Sequence, residues 1–170
     1  MAIDLSRIPT FADLDTQERA RLAGIFAERS LKAGTVVVRE EDSGDEMFIL
    51  VSGNVQISKA MLLPGMSIPL LNMASPRKVL ATLDHTAHPI FGEMALIDSD
   101  QRSATVLAVT DCLFLVTNRE RFFGLLREDA PLGVKLLLIL ARRMAASIRR
   151  TNGEVVKLTT ALALALRKGI

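Results

Sequence analysis

The stretch best equipped for chemistry is Phe91-Gly92-Glu93-Met94-Ala95-Leu96, followed after a short interval by Arg102-Ser103-Ala104-Thr105-Val106. Gly92 carries no Cβ, so a bound group can approach the backbone closely there. A short helix opening after it presents unpaired amide N–H groups, which suit an anion. Glu93 supplies a carboxylate that accepts from a hydroxyl and repels a phosphate. Arg102 supplies a permanently charged fork that matches two phosphate oxygens at once, and Ser103 adds a hydroxyl and an amide beside it. One acceptor for a hydroxyl and one guanidinium for a phosphodiester together describe a ribose cyclic phosphate.

The elements that must position these groups can be read from the pattern of the chain. Residues 9–29 read as one or two short helices, with Thr16 as N-cap of a helix over Gln17–Arg29 that lines up Leu22, Ile25 and Phe26. From Leu31 the pattern changes to short β-branched or apolar runs broken by glycine turns. Thr35–Arg39, Met47–Val51, Val55–Ser58, Val79–Leu83, Ala104–Val109 and Cys112–Val116 read as strands. Such spacing suggests a small barrel or sandwich. Residues 59–78 are apolar but interrupted by Pro64, Gly65, Pro69 and Pro76, which reads as a long loop folded on the barrel or as an apolar surface for a partner.

After Thr117 the chain reads as helical. Asn118 caps Arg119–Arg127, and Asp129 and Pro131 open a longer helix. Along it Val134, Leu138, Ala141, Ala145, Ile148, Asn152, Val155, Thr159, Leu162 and Leu166 recur in steps of four and three. That period suits packing on another helix, so a homodimer through this helix is expected. Asn152-Gly153 reads equally as an interruption between two helices and as a tolerated glycine within one.

Composition narrows the function classes. Hydrophobic residues make up 49% of the 170 and charged residues 24%, which is enough apolar material for one sizeable core. Seven Phe with no Trp or Tyr argue against an aromatic platform for single-stranded nucleic acid. One cysteine, Cys112, inside an apolar run, reads as a buried thiol of a cytoplasmic protein. The longest apolar runs, Leu136–Ala141 and Ala161–Leu166, fall far short of the roughly 20 residues that span a bilayer, so no membrane association is expected. His85 and His88 lie beside Pro89 with no cysteine or clustered carboxylates, and read as loop residues, not metal ligands. From Arg119 onward eleven Lys/Arg face four Asp/Glu, a net +7, while the preceding residues carry −5. This reads as a solvated helix face; an acidic partner, nucleic acid or a membrane surface is the alternative. No arrangement of nucleophile, base and orienting group suggests an enzyme.

Phe91–Val106 resembles the phosphate-binding cassette of the cyclic nucleotide-binding domain family, which includes bacterial cAMP receptor proteins and kinase regulatory subunits. Pro9-Thr10-Phe11-Ala12-Asp13-Leu14 is similar to the family's helical entry. Lys32-Ala33-Gly34, Asp42–Leu50 and Ser52-Gly53-Asn54-Val55 are similar to its barrel turns, and Arg142-Arg143-Met144 falls in its long C-terminal helix. The resemblance implies an α+β fold: a β-barrel of jelly-roll type over about 30–117, short N-terminal helices, and C-terminal helices over about 118–168, all one domain. Three departures stand out: Glu41 where the family usually has glycine, no glycine in Asp84–Pro89, and the length of 59–78.

The resemblance also implies roles. Gly92 and Glu93 would meet the ribose hydroxyl, while the amides of Met94 and Ala95, with Arg102 and Ser103, would hold the cyclic phosphate. The base would lie against the long helix at Ser147 or, in an alternative alignment, Thr151. The expected ligand is cAMP first and cGMP second, with no cofactor or metal. Relatives that bind DNA carry a helix-turn-helix after this helix; the sequence ends at Ile170, so specific DNA binding is not expected. The alternative is a degenerate domain without ligand, serving as a protein-interaction adaptor through 59–78 and Thr159–Leu166.

Overall fold

In the computed structural model, residues 4–60 and 77–168 are described. Most of the apolar segment 59–78 lies outside them. The chain divides into two units, Met1–Glu128 and Asp129–Ile170.

The first unit opens with two 3-10 turns, Leu5–Arg7 and Pro9–Phe11, then α1, Thr16–Ala23. The cap of α1 is Asp15, not Thr16: its carboxylate accepts from the Glu18 N–H at 2.9 Å, and the Glu18 carboxylate accepts from the Asp15 N–H at 3.0 Å. This reciprocal pair satisfies two otherwise orphaned donors. The helix expected over Gln17–Arg29 stops six residues early, at Gly24. Ala27–Leu31 is instead β1, paired antiparallel with Cys112–Asn118, which is β8. Four of the five β1 residues are exposed, so neither helical nor strand alternation marks the segment, and ladder pairing decides it.

Between them lie β2 (Val36–Val38), β3 (Glu46–Ser52), β4 (Asn54–Ala60), β5 (Arg77–Asp84), β6 (Ile90–Phe91) and β7 (Thr105–Ala108). They form two antiparallel four-stranded sheets, ordered β1-β8-β3-β6 and β2-β7-β4-β5. This is the jelly-roll architecture expected from the sequence. Phe48, Phe91 and Phe114 occupy the core between the sheets. Phe48 stacks on Phe91 at 5.4 Å between ring centres, and Phe114 meets both edge-on at 6.0 Å. Leu50, Val55, Val106, Ala108 and Val116 fill the space around them, and Cys112 is buried there too, as expected. A short helix α2 (Glu93–Asp98) follows β6, and α3 (Arg119–Glu128) follows β8. The Asn118 side chain accepts from the Arg121 N–H at 3.0 Å, the cap read from the sequence.

The second unit is α4, Ala130–Lys168, a single helix of 39 residues. Asp129 caps it by accepting from the Leu132 N–H at 3.2 Å. The helix runs unbroken through Asn152-Gly153. Glycine there costs about 1 kcal/mol in propensity but removes no hydrogen bond, which is too little to break a helix of this length. From Ser147 to Arg167 every residue is exposed.

Glu41 has φ 69, the left-handed conformation that glycine adopts freely and other residues adopt at a cost. The turn at this departure thus holds a non-glycine residue in a conformation that glycine would adopt without strain. Glu41→Gly is expected to raise stability by about 0.5–1 kcal/mol, the steric relief less the glycine's extra unfolded-state entropy. Urea unfolding measures this; an unchanged or lowered midpoint would contradict it.

Candidate functional site

Phe48 and Phe91 are ladder partners, so β3 and β6 bring the Glu46 backbone alongside Gly92. Gly92 has φ 83 and caps α2 without a side-chain hydrogen bond. A Cβ on Gly92 would stand 2.6 Å from the Glu46 carbonyl oxygen and 2.7 Å from Arg102 Nη1. A Cβ on Gly44 would stand 2.7 Å from Arg102 Nη2. Two missing side chains thus make room for one guanidinium.

Arg102 is 7% exposed. Its Nη1 donates to the Glu46 carbonyl at 2.7 Å and, at 3.5 Å, to that of Gly92. Its guanidinium carbon lies 5.9 Å from the centre of the Phe48 ring. Burial holds its pKa below the ordinary arginine value, while Glu46 and Asp45 pull it back up through space. Its hydrogen bonds run to backbone carbonyls, not to a carboxylate. Its backbone is stitched to the preceding loop: its N–H donates to Asp42 O at 3.0 Å, and its carbonyl accepts from the Glu41 N–H at 2.9 Å. Thr105 Oγ1, three residues on, accepts from the Glu40 N–H at 2.9 Å and from Arg77 Nη2 at 2.7 Å. Arg77 Nη2 also donates to the Glu40 carboxylate at 2.8 Å. The segment from Arg102 to Thr105 is therefore pinned on both sides.

The structure gathers Gly92, Glu93 and Arg102 within the first unit, with Met94 and Ala95 in the first turn of α2 and Ser103 exposed beside Arg102. Ser147 and Thr151 lie on α4, one turn apart and both exposed, in the second unit. Sequence reasoning missed the supporting residues. Arg119, the first residue of α3, donates from Nη1 to the carbonyls of Leu96 at 2.7 Å and Ile97 at 2.5 Å. It thereby satisfies carbonyls at the end of α2 and lies 4.6 Å from the Phe123 ring centre. Asp45, Arg119, Glu120, Phe123 and Arg127 line an open cleft of about 400 Å³. His85 lies in a 3-10 turn and His88 caps it, with Nδ1 3.3 Å from the Leu50 carbonyl. Among the described residues no group of three His, Cys, Asp or Glu side chains could hold a metal ion, and no helix is long and apolar enough to cross a membrane.

Gly92→Ala combines a strained φ with contact against backbone, so it is expected to cost at least ~2 kcal/mol of stability. Gly124→Ala in α3 is the control: an added Cβ there meets nothing within 4 Å, and a gain of up to ~1 kcal/mol is expected. Chemical unfolding of both variants checks the pair; a neutral Gly92→Ala would mean the backbone has room to spare.

Residues 28–129 match the model of the family described as cyclic nucleotide-binding domain, more than half of the 170 residues. The cyclic AMP receptor protein of Thermus thermophilus is 27% identical over 136 residues, covering 80% of this chain and 57% of that protein. The cGMP-dependent protein kinase, isozyme 1, of Drosophila melanogaster is 29% identical over 135 residues, covering 77% of this chain and 16% of that protein. The chain thus spans little more than half of the first of these relatives and a small part of the second. Among solved structures, a cyclic nucleotide-binding domain from Methylobacillus flagellatus superposes with a TM-score of 0.70 at 25% identity, covering 86% of this chain and 75% of that one. The catabolite activator protein of Thermus thermophilus gives 0.67 at 26%, covering 85% and 62%. Matched over residues 28–129, which take in both barrel sheets, the chain belongs to the cyclic nucleotide-binding domain family.

Proposed function

We propose that this regulatory domain is a non-enzymatic sensor of cyclic mononucleotides, cAMP first and cGMP second. The observation that carries the reading is Arg102, a buried guanidinium in a gap left by two glycines, bonded to neutral carbonyls. A buried cation gains when charged acceptors replace neutral ones, and a phosphodiester supplies two with matching geometry. Ser103 and the amides of Met94 and Ala95 would complete the phosphate's partners, and Gly92 with Glu93 would take the ribose hydroxyl. For the base, Ser147 or Thr151 is proposed on the resemblance alone.

Signalling is proposed to run through α4, whose positions the ligand can repopulate only by its differential affinity for them. Ile148, Val155, Leu162 and Leu166 are 59%, 52%, 60% and 64% exposed along the repeat of fours and threes. This supports a second copy of the chain as the partner that covers them.

Calorimetry of the wild type is expected to show micromolar binding of cAMP or cGMP. Arg102→Ala is expected to lose about 2–5 kcal/mol of it. A wild type that takes neither nucleotide at millimolar concentration overturns the sensor reading. For the pairing, sedimentation equilibrium is expected to give twice the chain mass for the wild type and the single mass for Leu162→Glu. A monomeric wild type removes the homodimer.

A further inference from the structure

The site as described leaves an acid and a base beside Arg102 without a task. Arg29 in β1 donates from Nη1 and Nη2 to the two carboxylate oxygens of Glu46 in β3, at 2.9 and 2.5 Å. Both strands flank β8, so the pair reaches across it. Glu46 therefore does two things at once: its carbonyl receives Arg102 and its carboxylate receives Arg29. The two guanidinium carbons lie 5.7 and 5.9 Å from the centre of the same Phe48 ring. Glu46 is held below the usual carboxylate range first by its bond to Arg29, with Arg102 adding to the effect through space. The carboxylate is thus within electrostatic reach of both arginines, yet bonded to Arg29.

A carboxylate next to a phosphate-binding guanidinium is a competitor for it, since both offer two charged oxygens to one fork. A bidentate arginine engages both oxygens of that competitor. We infer that Arg29 is a positioning residue for the cyclic phosphate: by occupying the Glu46 carboxylate it keeps that acid off Arg102 and leaves the Arg102 fork for the ligand. The inference rests on the reading that Arg102 takes a phosphate. It accounts for a buried arginine whose hydrogen bonds go to carbonyls although two acidic side chains, Asp45 and Glu46, act on it.

Arg29→Ala, Glu46→Gln and the double variant test it in two arms. In the ligand-free protein, the Arg102 Nε–Hε resonance is expected to move in Arg29→Ala, where Glu46 is released, and to return in Arg29→Ala/Glu46→Gln, where it carries no charge. With cAMP and cGMP, Arg29→Ala is expected to weaken binding about fivefold, the worth of a half-exposed ion pair expressed as a ratio. Glu46→Gln should bind at least as tightly as wild type, and the double variant should regain that affinity. Arg29→Ala and the double variant both lack the bridge, so a merely structural role would weaken them equally. A double variant as weak as Arg29→Ala, or an Arg102 resonance unmoved in Arg29→Ala, overturns the inference. If the wild type binds neither nucleotide, the phosphate reading fails, while the ligand-free arm still decides whether Arg29 keeps Glu46 from Arg102.

Discussion

A guanidinium placed almost out of reach of water has to be surrounded by acceptors, because an uncompensated buried charge costs several kcal/mol. In this domain that constraint falls on Arg102, and much of the local architecture answers it. Gly44 and Gly92 withdraw their side chains, the Glu46 carbonyl turns toward Nη1, and the Phe48 ring offers its π system nearby. None of these groups is itself charged. The arrangement holds the cation in place while leaving its electrostatic demand only partly met, which is the condition for an anion site that fills on binding.

The hydrophobic core and the site share the same residues. Phe48 lies in the three-ring cluster between the sheets and also beneath Arg102. Phe91 stacks on it and is followed directly by Gly92, so the position of the cassette is inherited from the packing of two rings. Rings in a close-packed interior shift little. The precision of the site therefore comes from the core, and the loop itself contributes chiefly the glycine and the cap.

The short helix after Gly92 was legible because its glycine cap and its residues are close in sequence and need no distant information. The barrel was legible for a similar reason: its strands are short, apolar and punctuated by turns. The residues that support Arg102 were not. Arg29 and Glu46 are 17 positions apart, Glu40 and Arg77 are 37, and Arg119 reaches carbonyls more than 20 positions back. Only the tertiary fold brings them together: Arg29 and Glu46 meet across β8, and Arg119 reaches the end of α2 from the start of α3. Arg29 reads from the sequence as the end of the helix that lines up Leu22, Ile25 and Phe26, because its edge strand, exposed at four of five positions, carries no alternation of its own. Glu41 was the opposite case. The sequence departs from glycine there, yet hydrogen bonds between residues 41–42 and Arg102 hold the backbone left-handed, so tertiary context overrides a local preference.

The short helix α2 is fixed at both ends by arginines from different parts of the chain. At its start, the Gly92 cap and Arg102 are tied to β3; at its end, Arg119 holds the carbonyls of Leu96 and Ile97. A six-residue helix is too short to be stable by its own hydrogen bonds. Its existence depends on these two anchors and on the burial of Ala95 and Leu96 between them. Arg119 is also the first residue of α3, so one side chain joins the end of α2 to the start of the helix that follows the barrel.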